Sequence, residues 1–307
     1  MAVQPQNVVD NPNINTIFMV WNFKSNDNVK DVFKRLCSLI VNLNHTAETR
    51  FPNTNSSVVL GIGFEAWRLL DLPEPMPKEF EKFVEIKGNV HTAVSTRGDL
   101  HLHIRAHETS YCIDLATIIS DCLASVATIV EEIHGFKYWD GRSILGFVDG
   151  TENPQGDDRK FFGIVGDEDP DYVGGSYLFV QKYIHDLVAW RNLPIATQEK
   201  IIGRSKQDDV EMTDDEKPSN SHSALANPGD EFKIIRDNMP FGSVASNEMG
   251  TYFIGYASSF NTVKMMLERM FIGVPEGNYD RILDFSHAKT GTTFFVPSMD
   301  MLEDFAD

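Results

Sequence analysis

Apolar residues recur along this chain in two rhythms, one with a period of two and one with a period of three to four. Residues 14–23 (INTIFMVWNF) and 57–61 (SVVLG) read as strands. Residues 100–106 alternate strictly, with Leu100, Leu102, Ile104 and Ala106 on one face. Between the first two strands, Val29, Val32, Phe33, Leu36, Ile40 and Leu43 keep helical spacing, and Asp27 is placed to cap that helix. Ser110 opens a second helix predicted to run to Val130, and residues 133–139 return as a strand. The second half repeats the order, with strands over 176–184, 232–236, 251–257 and 292–296 and helices over 196–203 and 262–271. Two copies of β-α-β-β-α-β predict an α+β protein of two ferredoxin-like domains, 1–140 and 141–307. Their sheets should be antiparallel, each with helices on one face.

Three segments interrupt this scheme. Pro73, Pro75 and Pro77 make an extended loop, residues 141–175 bridge the two halves, and residues 207–230 are polar, acidic and poor in structure signals. Long connections within compact domains are usually functional or disordered.

Composition excludes several classes. The chain of 307 residues is 42% hydrophobic and 23% charged, a globular balance with ample core. Its 27 basic and 45 acidic side chains give a formal charge of −18, which repels nucleic acid and anionic membrane surfaces. No apolar run approaches the roughly 20 residues of a membrane helix, and residues 1–15 lack the pattern of a signal peptide. Cys37, Cys112 and Cys122 sit among apolar residues and read as reduced core thiols. A cytoplasmic protein is expected.

Several motifs carry chemistry only in combination. Gly61-Ile62-Gly63-Phe64-Glu65-Ala66 matches a dinucleotide fingerprint, but the helix after it is too short for the crossover that motif requires. His101, His103, Arg105 and His107 share one face of the alternating strand and read as its polar, solvent side rather than a metal site. Gly146-Phe147-Val148-Asp149-Gly150-Thr151-Glu152-Asn153-Pro154 delivers a carboxylate into a tight turn between glycines. Asp-Gly is equally at home in a plain hairpin. His222, among small residues after an acidic run, reads on its own as an exposed loop histidine. Ile234-Ile235-Arg236-Asp237-Asn238-Met239-Pro240-Phe241-Gly242-Ser243 places an arginine and an amide at a strand end.

Taken in order, these segments resemble the dye-decolorizing peroxidases, haem enzymes with two ferredoxin-like domains, in their compact bacterial-type branch. Ile201-Ile202-Gly203-Arg204-Ser205-Lys206, Tyr279-Asp280-Arg281-Ile282-Leu283-Asp284-Phe285 and Thr290-Gly291-Thr292-Thr293-Phe294-Phe295-Val296-Pro297 extend the resemblance over nearly the whole chain. It implies haem b as cofactor, with His222 as the proximal ligand of its iron. Asp284 is implied as the carboxylate accepting the other ring N–H, with Asp280 as the alternative. Asp149 and Arg236 match the distal pair and Asn238 its polar neighbour. Arg204 matches a cation pairing with a haem propionate, and Glu152, Asn153 and Gln155 are implied to line the haem edge.

The implied activity is reduction of H2O2 through a ferryl intermediate, with oxidation of dyes, phenols and other bulky aromatic donors. Asp149 would shuttle the peroxide proton and Arg236 would stabilise the breaking bond. An aspartate rather than a histidine in that role implies activity reaching into acidic solution. Oxidising equivalents are expected to reach such donors through surface aromatics, with Trp190, Tyr183, Trp139 and Tyr138 as candidates. Haem dechelation, or haem carriage without turnover, are the alternative readings. Neither nucleic acid nor membrane is expected as a partner; a homodimer is. The short acidic ending, Met301 to Asp307, gives no expectation of docking inside a protein shell.

Overall fold

The computed structural model describes residues 3–25 and 28–307. The first half runs β1 (Asn15–Phe23), α1 (Val29–Arg50), β2 (Ser57–Gly63) and a short α2 (Phe64–Leu69), then the small hairpin β3 (Ile86–Lys87) and β4 (Thr92–Ala93). It continues with β5 (Leu100–Ala106), α3 (Thr109–Leu123) and β6 (Ala127–Phe136). Asp27, the expected cap of α1, lies outside the described residues. The helix predicted to reach Val130 stops at Leu123, where a turn from Val126 N to Leu123 O (3.0 Å) reverses the chain. The β-branched Thr128, Ile129 and Val130 then enter β6, as their stiff side chains favour.

The second half runs α4 (Asp157–Gly163), β7 (Ser176–His185), α5 (Leu187–Arg191), α6 (Ile195–Ile202) and α7 (His222–Ala226). It ends with β8 (Ile235–Arg236), β9 (Met239–Ser243), β10 (Glu248–Ala257), α8 (Phe260–Phe271), β11 (Ser286–Ala288), β12 (Thr292–Val296) and α9 (Met299–Ala306). The strand expected over 232–236 shrinks to two residues, and β9 escaped the sequence pattern because Pro240 argues against a strand. Among the described residues no helix is long and apolar enough to cross a membrane.

The α+β architecture of two ferredoxin-like halves stands, but their sheets are continuous. Strand order is β6-β1-β5-β2-β12-β7-β10-β8, with β11 beside β7 and β9 beside β10. The halves join where β12 pairs antiparallel with β2 (Phe294 opposite Gly63, Phe295 opposite Ile62). Ile17, Met19 and Trp21 of β1 face one way, into a core with Phe33, Leu36 and Ile40 of α1 and Leu115 and Ile119 of α3. Phe18 and Val20 face the other way, into a second core with Leu178 and Val180 of β7 and Tyr252 and Ile254 of β10. The sheet therefore curls so that its two halves meet face to face, with Phe18 stacked on Tyr252 at 4.3 Å between centroids.

That curl overturns the reading of β5 as half-solvated. His101 and His103 are 0% exposed and Arg105 is 1% exposed, because their face of the strand looks into the second core and not into water. His103 Nδ1 lies 2.8 Å from the Tyr256 hydroxyl, Arg105 Nη1 donates to Asp237 at 2.8 Å, and neither ring nitrogen of His101 has a partner among the described residues.

Burial pushes the imidazole of His101 down to about 3 and that of His185 in β7 to about 4. His103 is driven well below its ordinary value, by burial first and the Arg105 charge next. In the unfolded chain these rings take up protons near about pH 6.5, whereas in the fold they stay neutral. Stability is thus full above about pH 6.5 and falls as pH drops below it, by about 1.4 kcal/mol per pH unit for each such histidine, until its folded value is reached. A His101→Leu variant should accordingly show a shallower fall of Tm with acidification than the parent; an identical slope would mean that His101 takes up its proton in the folded state.

Candidate active site

A cavity of about 980 Å3, part of it open to solvent, lies in the second half between β7, β10 and α8. Its walls are largely apolar, with Leu145 and Phe147 on the connecting segment, Phe253 on β10, and Val263, Met266 and Met270 on α8. The polar groups reaching it include Asp149, His222, Arg236 and Asn238, four residues that the sequence scatters over 90 positions. A neighbouring space of about 720 Å3 shares Asp149, His222 and Arg236 and extends to Glu152 and Arg204. On the outer side, a cleft of about 870 Å3 lined by Tyr138, Asp140, Gln155 and Arg159 also reaches Asp149, Arg236 and Asn238.

Asp149 is held by a tight turn. Gly146 and Gly150 have φ of 91° and 83°, a region open to glycine at little cost. Ser143 N donates to Phe147 O at 2.9 Å, and Asp149 N to Gly141 O at 3.0 Å. Arg142 holds the turn from beneath, donating to the carbonyls of Gly146 and Gln207 at 3.1 Å each. Phe147 anchors it by packing edge-on against buried Trp190, at 6.1 Å between centroids. The hairpin turn itself lies upstream, at Ser143–Gly146 (Gly146 N to Ser143 O, 2.9 Å), so Asp149-Gly150 is not the hairpin turn but follows it on the returning arm, where Asp149 lines the cavity.

The neighbours of Asp149 come from the segment after β8. Asn238 Nδ2 lies 3.3 Å from both Asp149 carboxylate oxygens, while its Oδ1 accepts from Ile254 N at 3.1 Å. The amide is thus fixed by the β10 backbone and aimed at the acid. Asn153 clamps the strand, donating to Arg236 O at 2.7 Å and accepting from Arg236 N at 3.0 Å. The Arg236 guanidinium itself makes no ion pair with a described residue, so a full positive charge borders the cavity.

His222 opens α7 and is partly buried. Its Nδ1 lies 2.7 Å from Asp280 Oδ2, which leaves Nε2 for a ligand in the cavity. Asp280 is fully buried, and its Oδ1 accepts from Ile282 N at 3.0 Å, capping the short turn Arg281–Asp284. This corrects the expectation for Asp284. At the far end of that turn, Asp284 accepts from Arg281 Nε (2.7 Å) and Tyr279 Oη (2.9 Å) and meets His91 Nε2 (3.1 Å). Burial would raise its carboxyl, but these bonds outweigh burial and hold it below the usual range. Gly203 ends α6 with φ of 89°; a Cβ there would stand 2.8 Å from Ser221 Oγ and 2.1 Å from Ser223 Oγ, so its absence lets the His222 segment pack close.

The other predicted residues fall on different surfaces. Arg204 borders the neighbouring space but is already ion-paired with Asp209 (2.8 Å), Glu211 (3.1 Å) and Glu152 (3.3 Å). Asn153 and Gln155 line the outer cleft and not the main cavity, because Asn153 is drawn to the Arg236 backbone and Gln155 Nε2 donates to Asn153 O at 3.1 Å. Trp190 and Tyr183 are buried, contrary to their place among the surface aromatics: Trp190 Nε1 donates to Leu145 O and Tyr183 Oη to Gln181. Trp139 is 77% exposed, with Tyr138 beside it at 6.1 Å. Sequence reasoning missed the α8 wall, whose spacing of Val263, Met266 and Met270 is equally that of an ordinary core face.

The chain is similar to known proteins along most of its length. Residues 5–137 match the family model described as Dyp-type peroxidase, N-terminal, and residues 140–301 the one described as Dyp-type peroxidase, C-terminal. A dye-decolorizing peroxidase of Rhodococcus erythropolis is 52% identical over 262 residues, 84% of this chain and 76% of the relative. The crystal structure of a dye-decolorizing peroxidase from Bacteroides thetaiotaomicron superposes with a TM-score of 0.97 at 49% identity, covering 99% of both chains. A variant of Rhodococcus jostii DypB in complex with heme superposes at 0.91 with 44% identity, covering 100% of both chains.

The two acids near His222 are separable by experiment. In Asp280→Ala the hydrogen-bonded Nδ1 proton of His222 should vanish from the NMR spectrum, with a stability loss of about 1–3 kcal/mol. In Asp284→Ala that proton should persist. The reverse pattern would restore the assignment to Asp284.

Proposed function

The chain belongs to the Dyp-type peroxidase family, and from that premise we propose that the cavity is its haem site, with His222 on the iron and Asp149, Arg236 and Asn238 working on the peroxide. The protein is a haem peroxidase. The observation that carries the residue assignment is the convergence on one cavity of an imidazole whose Nδ1 is already engaged, a carboxylate braced by an amide, and an unpaired guanidinium. These residues fit haem: Nε2 of His222 would be the donor to its iron, the α8 wall is apolar, and Arg204, at the edge of the neighbouring space, would exchange one of its carboxylate partners to pair with a propionate. Asp280 fixes the tautomer of His222 and raises its basicity toward the metal.

Haem bound there supplies the redox centre that accepts oxidising equivalents from H2O2 and hands them to donors. The protein supplies the proton handling. A carboxylate oxygen of Asp149 takes one proton from H2O2 and returns it to the departing oxygen, which leaves as water. Asn238 keeps that carboxylate in one orientation by donating to both of its oxygens. Arg236 offers a permanent charge to the oxygen–oxygen bond as it polarises, in a setting where fixed charge is worth more than in water. The outer cleft, sharing these three residues with the cavity, is the entry route for so small a molecule. Bulky dyes and phenols stay outside and are oxidised at exposed Trp139, beside Tyr138 on the cleft rim. The charge of −18 favours cationic or neutral donors at low salt. A carrier without turnover needs the imidazole but neither Asp149 nor an unpaired Arg236.

With haem-loaded protein, Asp149→Ala and Arg236→Leu should each lower kcat/KM for H2O2, by about a hundredfold or more, with haem uptake unchanged. Full peroxide consumption by both variants would remove the distal assignment and leave the carrier reading.

A further inference from the structure

Arg236 ends β8 and Asn238 precedes β9, and both strands pair antiparallel with β10, so Asp237 and Asn238 form the two-residue gap between them. β8 is two residues long; in the gap after it the backbone is tied by Asp237 N to Ile254 O at 3.2 Å, and the pairing with β10 resumes in β9 with Met239 opposite Tyr252. Strand alternation sends Arg236 and Asn238 toward the cavity and Asp237 the other way, into the closed core between the sheet halves. There the Asp237 carboxylate, 1% exposed, accepts from Arg105 Nη1 at 2.8 Å, with His103 Nε2 at 3.5 Å. Arg105 is anchored independently on the first half: Nε and Nη2 donate to Ser57 Oγ at 3.1 and 2.9 Å, and Nη2 also to the Asn7 carbonyl.

Stability alone is a poor reason for such a pair. A desolvated ion pair is often no better than apolar residues of the same volume. This one also leaves Asp237 Oδ1 without a partner among the described residues. Together with Ile235 and Met239, which are buried in the same core on either side of it, the pair holds the face of the segment. A slip of one residue would turn Asp237 into the cavity and bury Arg236 and Asn238 where they could do nothing. Taking the reading of the site given above as the premise, we infer that Arg105 and Asp237 are positioning residues: their buried ion pair, reaching from β5 to the residue between Arg236 and Asn238, fixes both side chains toward the peroxide. Asn153 sets the backbone of the same segment from the cleft side, and Arg105 sets its orientation from within.

The test uses haem-loaded protein and three variants. Arg105→Met/Asp237→Leu replaces the pair with apolar side chains; it should keep its haem uptake and a Tm near the parent's, yet lose about a hundredfold in kcat/KM for H2O2. Its affinity for cyanide, a probe of the same pocket, should fall in step, while KM for the dye donor stays unchanged. Arg105→Lys, which keeps the charge, should recover most of both losses. If the double variant does not fold, Asp237→Asn carries the test, with about a tenfold loss of peroxide kcat/KM and weaker cyanide binding at unchanged haem uptake. Parental peroxide reactivity and cyanide affinity in either variant would overturn the inference, and so would a parallel loss of haem uptake and Tm, which marks a purely structural pair. Arg236→Leu serves as control: if it reacts with H2O2 as the parent does, the reading of the site fails, whatever the variants of the pair do.

Discussion

Burial of the sheet on both faces is the constraint from which the rest of this structure follows. Because the two halves join at β2 and β12 and curl together, residues that would meet water in an isolated ferredoxin-like sheet meet the other half instead. Polar side chains on that face must find partners or stay neutral. Arg105 and Asp237 satisfy the requirement by pairing, and His103 and Tyr256 by sharing a hydrogen bond. His101 meets it by remaining uncharged. The opposite face of β7 and β10 is left to build a cavity with α8. One strand system therefore separates a dry, closed interior from a pocket that admits a ligand, and the short β8 segment stands on the border between them.

Much of this was legible in the chain itself. Period-two and helical spacings located nearly every long element, since a strand or helix with one core face writes its period into the sequence. They said nothing of how the halves would meet, and so misplaced His101, His103 and Arg105, whose polar row looks the same whether it faces water or another sheet. The extension of α3 failed where the β-branched run Thr128, Ile129 and Val130 outweighed helical spacing. β9 was hidden by Pro240.

The site shows the same division. Asp149, Arg236, Asn238 and His222 carry no joint signal in spacing, and only the resemblance of the whole set linked them before the fold did. The choice between Asp280 and Asp284 turned on a single short turn. The residue at its start points inward to cap it, whereas the residue four positions on reaches the surface and its own partners. An aspartate just before a turn is a familiar capping signal, and that was the available clue. Asn153 shows a different limit: its task is to hold the Arg236 backbone, and backbone contacts leave little trace in side-chain pattern.

The account stands or falls on His222 as the axial donor, placed by Asp280 in a cavity whose other polar groups handle the peroxide. The most direct measurement is the absorption spectrum of His222→Gly loaded with haem and titrated with imidazole. The account predicts that the parent's axial-histidine spectrum is lost in the variant and returns as imidazole fills the vacated position. A variant that keeps the parental spectrum with no imidazole added would contradict it, because the axial nitrogen would then belong to another residue.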